Sequence, residues 1–181
     1  CQSETKVRAI KRANSDTNLV RQVFSYYSEK SDTLFQKIEW VDADLLNISD
    51  LDFAFQGATK VYHCAAWISF NPKHKTKMMN TNIEGTTNVV NLCLTHRIKK
   101  LCYVSSVAAI GQPIDVGSID ENTPWENSPI KSSYALSKYR SEMEVWRGIE
   151  EGLNAVIVCP AIILGPGKWE KGSSMLFKQV W

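Results

Sequence analysis

Ser132-Ser133-Tyr134-Ala135-Leu136-Ser137-Lys138 opens an amphipathic run that extends to Gly152. Its tyrosine and lysine are four residues apart, and residues so spaced share one face of a helix. A phenol with an ordinary pKa of about 10 ionises more readily beside a cation, so the pair points to proton transfer. The spacing alone does not single it out, because Tyr26 and Lys30 repeat it. Context separates the two. Tyr26 and Lys30 close a polar segment beside Ser31 and Asp32, whereas Tyr134 and Lys138 begin a helix that follows a strand ending in Ser105-Ser106.

On either side of that helix, short apolar runs alternate with helical patterns. Residues 6–10, 38–42, 60–66, 100–105 and 154–159 read as strands. Residues 16–27, 49–55, 75–96 and 132–152 read as helices. Ser49 is the expected N-cap of the second helix and Gly57 its stop. The third carries a stripe of Met79, Ile83, Thr86, Val90 and Cys93; the last is expected to bury Ala135, Tyr139, Met143, Trp146 and Ile149. Five or six apolar residues per strand, each strand followed by a helix, predict an α/β fold with a doubly wound parallel sheet covered on both faces.

Composition excludes several function classes. The 181 residues are enough for one globular core, and a net charge of +2 is too small to indicate nucleic acid or an anionic membrane as partner. No apolar run is long enough to span a bilayer, and no signal-peptide pattern precedes the first strand. Cys1, Cys64, Cys93, Cys102 and Cys159 are scattered, with no pair at metal-ligand spacing. Those inside strand and helix patterns read as reduced thiols in a cytoplasmic protein. Asn47-Ile48-Ser49 matches a glycosylation sequon, taken as chance without a secretory signal.

In a doubly wound sheet the ligand lies beyond the carboxyl ends of the strands. After the first strand come two cations, Lys11 and Arg12, and no carboxylate, which favours the 2′-phosphate of NADP over the bare ribose of NAD. Asp44 and Leu45 follow the second: a carboxylate accepts from an adenine amino group, and a leucine packs on the ring. A turn-forming aspartate explains Asp44 equally well. Ala65 and Ala66 follow the third strand, with side chains small enough for a flat ligand to approach the backbone. His63 has no second ligand at a useful spacing and reads as a core histidine. After the fourth strand Ser105-Ser106 offers hydroxyls that can donate to a substrate carbonyl.

Together these residues resemble the extended short-chain dehydrogenases/reductases. The motifs are Asp44-Leu45, His63-Cys64-Ala65-Ala66, Asn82-Ile83-Glu84-Gly85-Thr86, Ser105-Ser106 with Gly111, Tyr134-Ala-Leu-Ser-Lys138, Glu142, and Pro160 followed by Gly165-Pro166-Gly167. The run is most similar to the NAD-dependent epimerase/dehydratase group, on its dihydroflavonol-4-reductase-like side. The resemblance implies a Rossmann-like fold and an NAD(P)-dependent oxidoreductase acting on a ketone or secondary alcohol. A nucleotide-sugar epimerase/dehydratase and a non-catalytic NADP-binding scaffold are the alternatives. Tyr134 would be the acid/base, Ser106 the donor to the substrate oxygen, and Lys138 the residue that binds the nicotinamide ribose and lowers the tyrosine's pKa. Asp44 and Leu45 would hold adenine, Ala65 and Ala66 would line the cofactor, and Pro160 would flank the nicotinamide. NADP is the expected cofactor, with NAD as the alternative. A small-molecule substrate is expected, with Trp67, Phe70, Trp125 and Trp169 as candidate pocket aromatics, and a homodimer through the Tyr134 helix is one expected arrangement.

The family's Gly-rich turn, which holds the pyrophosphate, has no counterpart here, and Gly165-Pro166-Gly167 follows the last strand instead. The expectation is therefore a fold incomplete at both ends. Residues 1–167 would form a dinucleotide-binding domain lacking its first strand, and residues 168–181 the start of a substrate-binding region.

Overall fold

The computed structural model describes residues 6–69, 71–111, 119–126 and 132–166. The chain divides into two compact units, Cys1–Asp44 with Ile162–Trp181, and Leu45–Ala161. Every strand pairing among the described residues is parallel, as the sequence pattern predicts, but the ladders form two sheets.

The first unit contains β1 (Val7–Lys11), α1 (Asn18–Tyr27), α2 (Ser31–Gln36) and β2 (Ile38–Asp42). In the β1–β2 register Arg8 faces Glu39 and Lys11 faces Asp42, and both pairs form ion pairs, Arg8–Glu39 at 3.1 Å. Asp16 Oδ1 accepts from Asn18 N at 2.8 Å at the start of α1. Phe24 meets Phe35 edge to face and Phe35 lies tilted against Trp40, with ring centroids 6.0 and 5.7 Å apart, and these contacts hold α1, α2 and β2 together. The Trp40 indole N–H is buried without a hydrogen-bond partner, a desolvation cost of about 1–3 kcal/mol. The sequence pattern did not reveal α2, a six-residue helix too short to show a period.

The second unit contains α3 (Ile48–Phe55), β3 (Lys60–His63), a 3-10 turn (Pro72–His74), α4 (Lys75–Thr95), β4 (Lys100–Val104), a second 3-10 turn (Val107–Ala109), α5 (Ser133–Glu150) and β5 (Ala155–Val158). Its sheet order is β3-β4-β5, and the central strand buries Leu101 and Tyr103 almost completely. The cap of α3 is Asn47, not Ser49: its Oδ1 accepts from Ser49 N and Asp50 N at 3.1 and 3.3 Å. An asparagine two positions earlier reaches both orphan amides of the first turn. Gly57 (φ 72) ends that helix, as expected.

The buried faces of α4 and α5 also differ from the expected stripes. In α4 the fully buried residues are Met78, Asn82, Gly85, Thr86, Val89, Val90, Leu92 and Cys93, while Met79 and Ile83 are only half-buried. In α5 they are Ala135, Ser137, Lys138, Ser141, Val145 and Gly148, while Met143 and Trp146 are exposed. Small side chains replace the expected large ones because the helices approach closely. A Cβ added at Gly148 would lie 2.6 Å from Val90 Cγ1. Ser132 Oγ accepts from Ala135 N at 3.1 Å and fixes the start of α5 directly before Tyr134.

Candidate active site

The ends of β4 and β5 are joined beyond the last paired residues. Ser105 N donates to Val158 O at 2.8 Å, and Val107 N donates to Pro160 O at 3.1 Å. Between these bonds Ser106 caps the turn Val107–Ala109, its Oγ accepting from Ala108 N at 3.1 Å. That bond uses a lone pair, so the hydroxyl hydrogen is not spent in it. Ser106 and Pro160 are thereby held at one edge of the sheet.

Lys138 reaches the same edge from α5. Its Nζ donates to Tyr103 Oη and to Val104 O, both at 2.9 Å, and the residue is 2% exposed. Burial pulls the ammonium down to about 8, opposed by the charges of Glu142, Cys159 and Cys64. Tyr134, one turn before it, is half-buried. Tyr103 is held well above the usual phenol range by its own burial, with hydrogen bonds to Ser141 and Thr86 working the other way.

A polar layer behind the lysine continues into α4. His63 Nε2 lies 2.9 Å from Thr86 Oγ1, and burial holds the imidazole at about 4, helped by the nearby Lys138 charge. It is a neutral core histidine, as the sequence reading expected, and no cluster of metal-ligating side chains occurs among the described residues. Asn82 Oδ1 accepts from Trp67 N at 2.7 Å, while its Nδ2 donates to Trp67 O and Ser137 Oγ, both at 3.0 Å. This amide fixes the segment after β3 that carries Ala65 and Ala66, both exposed.

The second unit therefore holds Leu45, Ala65, Ala66, Ser106, Tyr134, Lys138 and Pro160. Leu45 packs on Gly85, where an added Cβ would lie 2.9 Å from Leu45 Cβ, and its carbonyl accepts from Asn88 Nδ2 at 2.9 Å. The first unit holds Lys11, Arg12 and Asp44. Lys11 is neutralised by Asp42, which leaves Arg12 as the exposed cation after β1. Phe70, Gly167, Trp169 and residues 168–181 lie outside the described residues. Trp125 stacks on Tyr139, centroids 4.3 Å apart and planes 8° from parallel, so it packs against α5 one residue past Lys138.

The second Tyr–Lys spacing does not build a site. Tyr26 lies near the end of α1, is 59% exposed and is engaged by Gln22 Nε2 at 2.9 Å, while Lys30 caps a different helix. Sequence reading missed Tyr103, Ser137 and Ser141, and it placed Thr86 in a buried stripe without its polar role. Their signal was faint: a hydroxyl on each strand or helix at a position otherwise expected to be apolar.

The sequence profile of the NAD dependent epimerase/dehydratase family matches residues 2–180. The chain belongs to that family. Among curated relatives, it is 34% identical over 129 residues to a protein of Synechocystis sp. named "Putative dihydroflavonol 4-reductase", a match that covers 71% of this chain and 37% of that protein. It is 32% identical over 136 residues to 3beta-hydroxysteroid-dehydrogenase/decarboxylase isoform 1 of Arabidopsis thaliana, covering 72% of this chain and 30% of that one. The chain thus spans well under half the length of these relatives. The crystal structure of gox2253 superposes with a TM-score of 0.74 at 30% identity, over 96% of this chain and 56% of that one. A UDP-glucuronic acid 4-epimerase from Bacillus cereus, solved with NAD, gives 0.73 at 22% identity over 96% and 54% of the two chains, and shares the Rossmann-like α/β fold of this family.

Proposed function

We propose that the whole protein is an NAD(P)-dependent oxidoreductase that interconverts a ketone and a secondary alcohol on a small molecule. The observation that carries this reading is the buried Lys138 ammonium, bonded at the end of β4 and one helical turn from Tyr134. The reductases and dehydrogenases among the relatives support it.

Two features fit a nicotinamide dinucleotide. Lys138 spends two of its three N–H groups inside the protein, which leaves one for a ribose hydroxyl. Ala65 and Ala66 are exposed and carry only methyl side chains. In this reading Leu45 and Asp44 serve the adenine, Pro160 flanks the nicotinamide, and Arg12 beside Lys11 selects the 2′-phosphate of NADP. The bound cofactor supplies or accepts hydride; the chain supplies positions and protons. Tyr134 gives a proton to the nascent alkoxide or takes one from the alcohol, worth roughly 10²–10⁴ in rate. Ser106 donates its unspent hydroxyl hydrogen to the same oxygen and stabilises the charge that develops there. Lys138 favours the ionised phenol when Tyr134 acts as base.

The reading places the protein in the cytoplasm. It pairs two copies through the outer side of α5, where Met143 and Trp146 are exposed. The test is NADPH oxidation by the full-length protein with a panel of ketones and sugar nucleotides. Tyr134→Phe should lower turnover at least about 10²-fold with cofactor affinity nearly unchanged. A fully active Tyr134→Phe protein overturns the assignment.

A further inference from the structure

We infer that Glu142 is a positioning residue of this site: its carboxylate ties the ends of β4 and β5 to the helix turn that carries Lys138, and supplies the counter-charge for the buried ammonium. The inference rests on the reading of Lys138 given above.

Glu142 lies one turn beyond Lys138 on α5 and two beyond Tyr134, so all three share a helix face. Both carboxylate oxygens are used. Oε2 accepts from Ser105 Oγ at 2.5 Å and from Cys159 Sγ at 3.9 Å; Oε1 accepts from Trp146 Nε1 at 3.3 Å. Ser105 and Cys159 are the residues directly after β4 and β5, and each precedes a candidate site residue, Ser106 and Pro160. One side chain therefore grips both strand ends at the positions where the chain turns into the site. A bond of 2.5 Å between a hydroxyl and an ionised acceptor belongs to the strong, charge-assisted class.

The second role is electrostatic. The ammonium's own hydrogen-bond partners, Tyr103 and Val104, are neutral, and neutral partners compensate poorly for burying a cation. The titratable groups around it are His63 and Cys64 from β3 and its end, Tyr103 from β4, Cys159 after β5, and Tyr134 and Glu142 on its own helix. The polar residues that α4 brings to this layer, Asn82 and Thr86, carry no charge, and the turn Val107–Ala109 has no titratable residue. Glu121, in the segment before α5, acts on Cys159; of the two carboxylates, Glu142 is the one that acts on the ammonium itself. It is also the largest influence keeping the ammonium charged against its burial.

The experiment uses the full-length protein with lysine labelled at its ε-carbon. Lys138 is titrated by NMR, and kcat and KM are measured against pH with NADPH and the best ketone. Glu142→Gln keeps an acceptor for Ser105 and removes the charge. It is expected to move the Lys138 midpoint below about 8 and bring the alkaline limb of the profile down with it. kcat/KM should then fall about tenfold at pH 8 but only about twofold at pH 6.5. Ser105→Ala, which removes the bond and keeps the charge, should leave the midpoint in place. A parental Lys138 titration in Glu142→Gln overturns the proposal, whatever the fate of the oxidoreductase reading. An active Tyr134→Phe overturns that reading, while the NMR titration still judges the charge of Glu142. If circular dichroism shows Glu142→Gln unfolded, Glu142→Asp takes its place, since its shorter arm breaks the grip on both strand ends. It should lower kcat at every pH, and a parental profile overturns the proposal equally.

Discussion

His63 shows what burial does to one side chain in this chain. At 4% exposure its imidazole is held at about 4, against 6.5 in water, first by desolvation and then by the charge of Lys138. Between those two values the unfolded chain binds a proton that the folded chain refuses. Stability therefore rises with pH across this window and is lost as pH falls through it, by up to about 3 kcal/mol. Denaturant titrations between pH 4 and 7 should show that slope, and His63→Gln should flatten it. The histidine's structural role was legible in the sequence, because no second ligand stood at a useful spacing. So was the Tyr134–Lys138 pair, once Ser105-Ser106 gave it context. Tyr103 and Thr86 were not legible: their hydroxyls matter only through partners 35 and 23 residues away, Lys138 and His63.

Among the elements, the α4–α5 pair departs most from what hydrophobic patterning predicts. An apolar stripe on α5 would have buried Met143 and Trp146; the helix instead turns Ser137, Lys138, Ser141 and Gly148 inward. Periodicity counts apolar side chains, and this contact is made of small and hydrogen-bonded ones, so the period is present but carried by the wrong residue types. Strands were easier to read, since all five apolar runs became strands, with no end moved by more than three residues. The close approach has a measurable consequence. Gly148→Ala would set a methyl 2.6 Å from Val90 Cγ1 and 3.2 Å from Leu153 Cδ2. Helix propensity favours alanine, but crowding of this kind costs about 1–3 kcal/mol, so a lower Tm is expected.

Over the whole molecule, the core is distributed unequally. Of the fully buried side chains among the described residues, all but Ala43 belong to the unit Leu45–Ala161. Neither α1 nor α2 buries a residue completely. Amide hydrogen exchange should therefore separate the two units in this chain, with β4, α4 and α5 protected longest and α1 and α2 exchanging fastest. Equal protection throughout would contradict this picture. The α/β class and the parallel pairing were legible from the alternation of elements. The division into two units was not, because periodicity records which residues are buried within an element and not which ladders close.

Asn82 gives the sheet a reach that its strands do not have. The β3 ladder stops at His63, yet four residues later Trp67 both donates and accepts with one side-chain amide, as it would with a neighbouring strand. A helix has lent the sheet a surrogate peptide group. What position 82 must satisfy is thus the grammar of a main chain rather than a volume: aspartate offers only acceptors and leucine neither group. Its freedom to vary is that of a backbone.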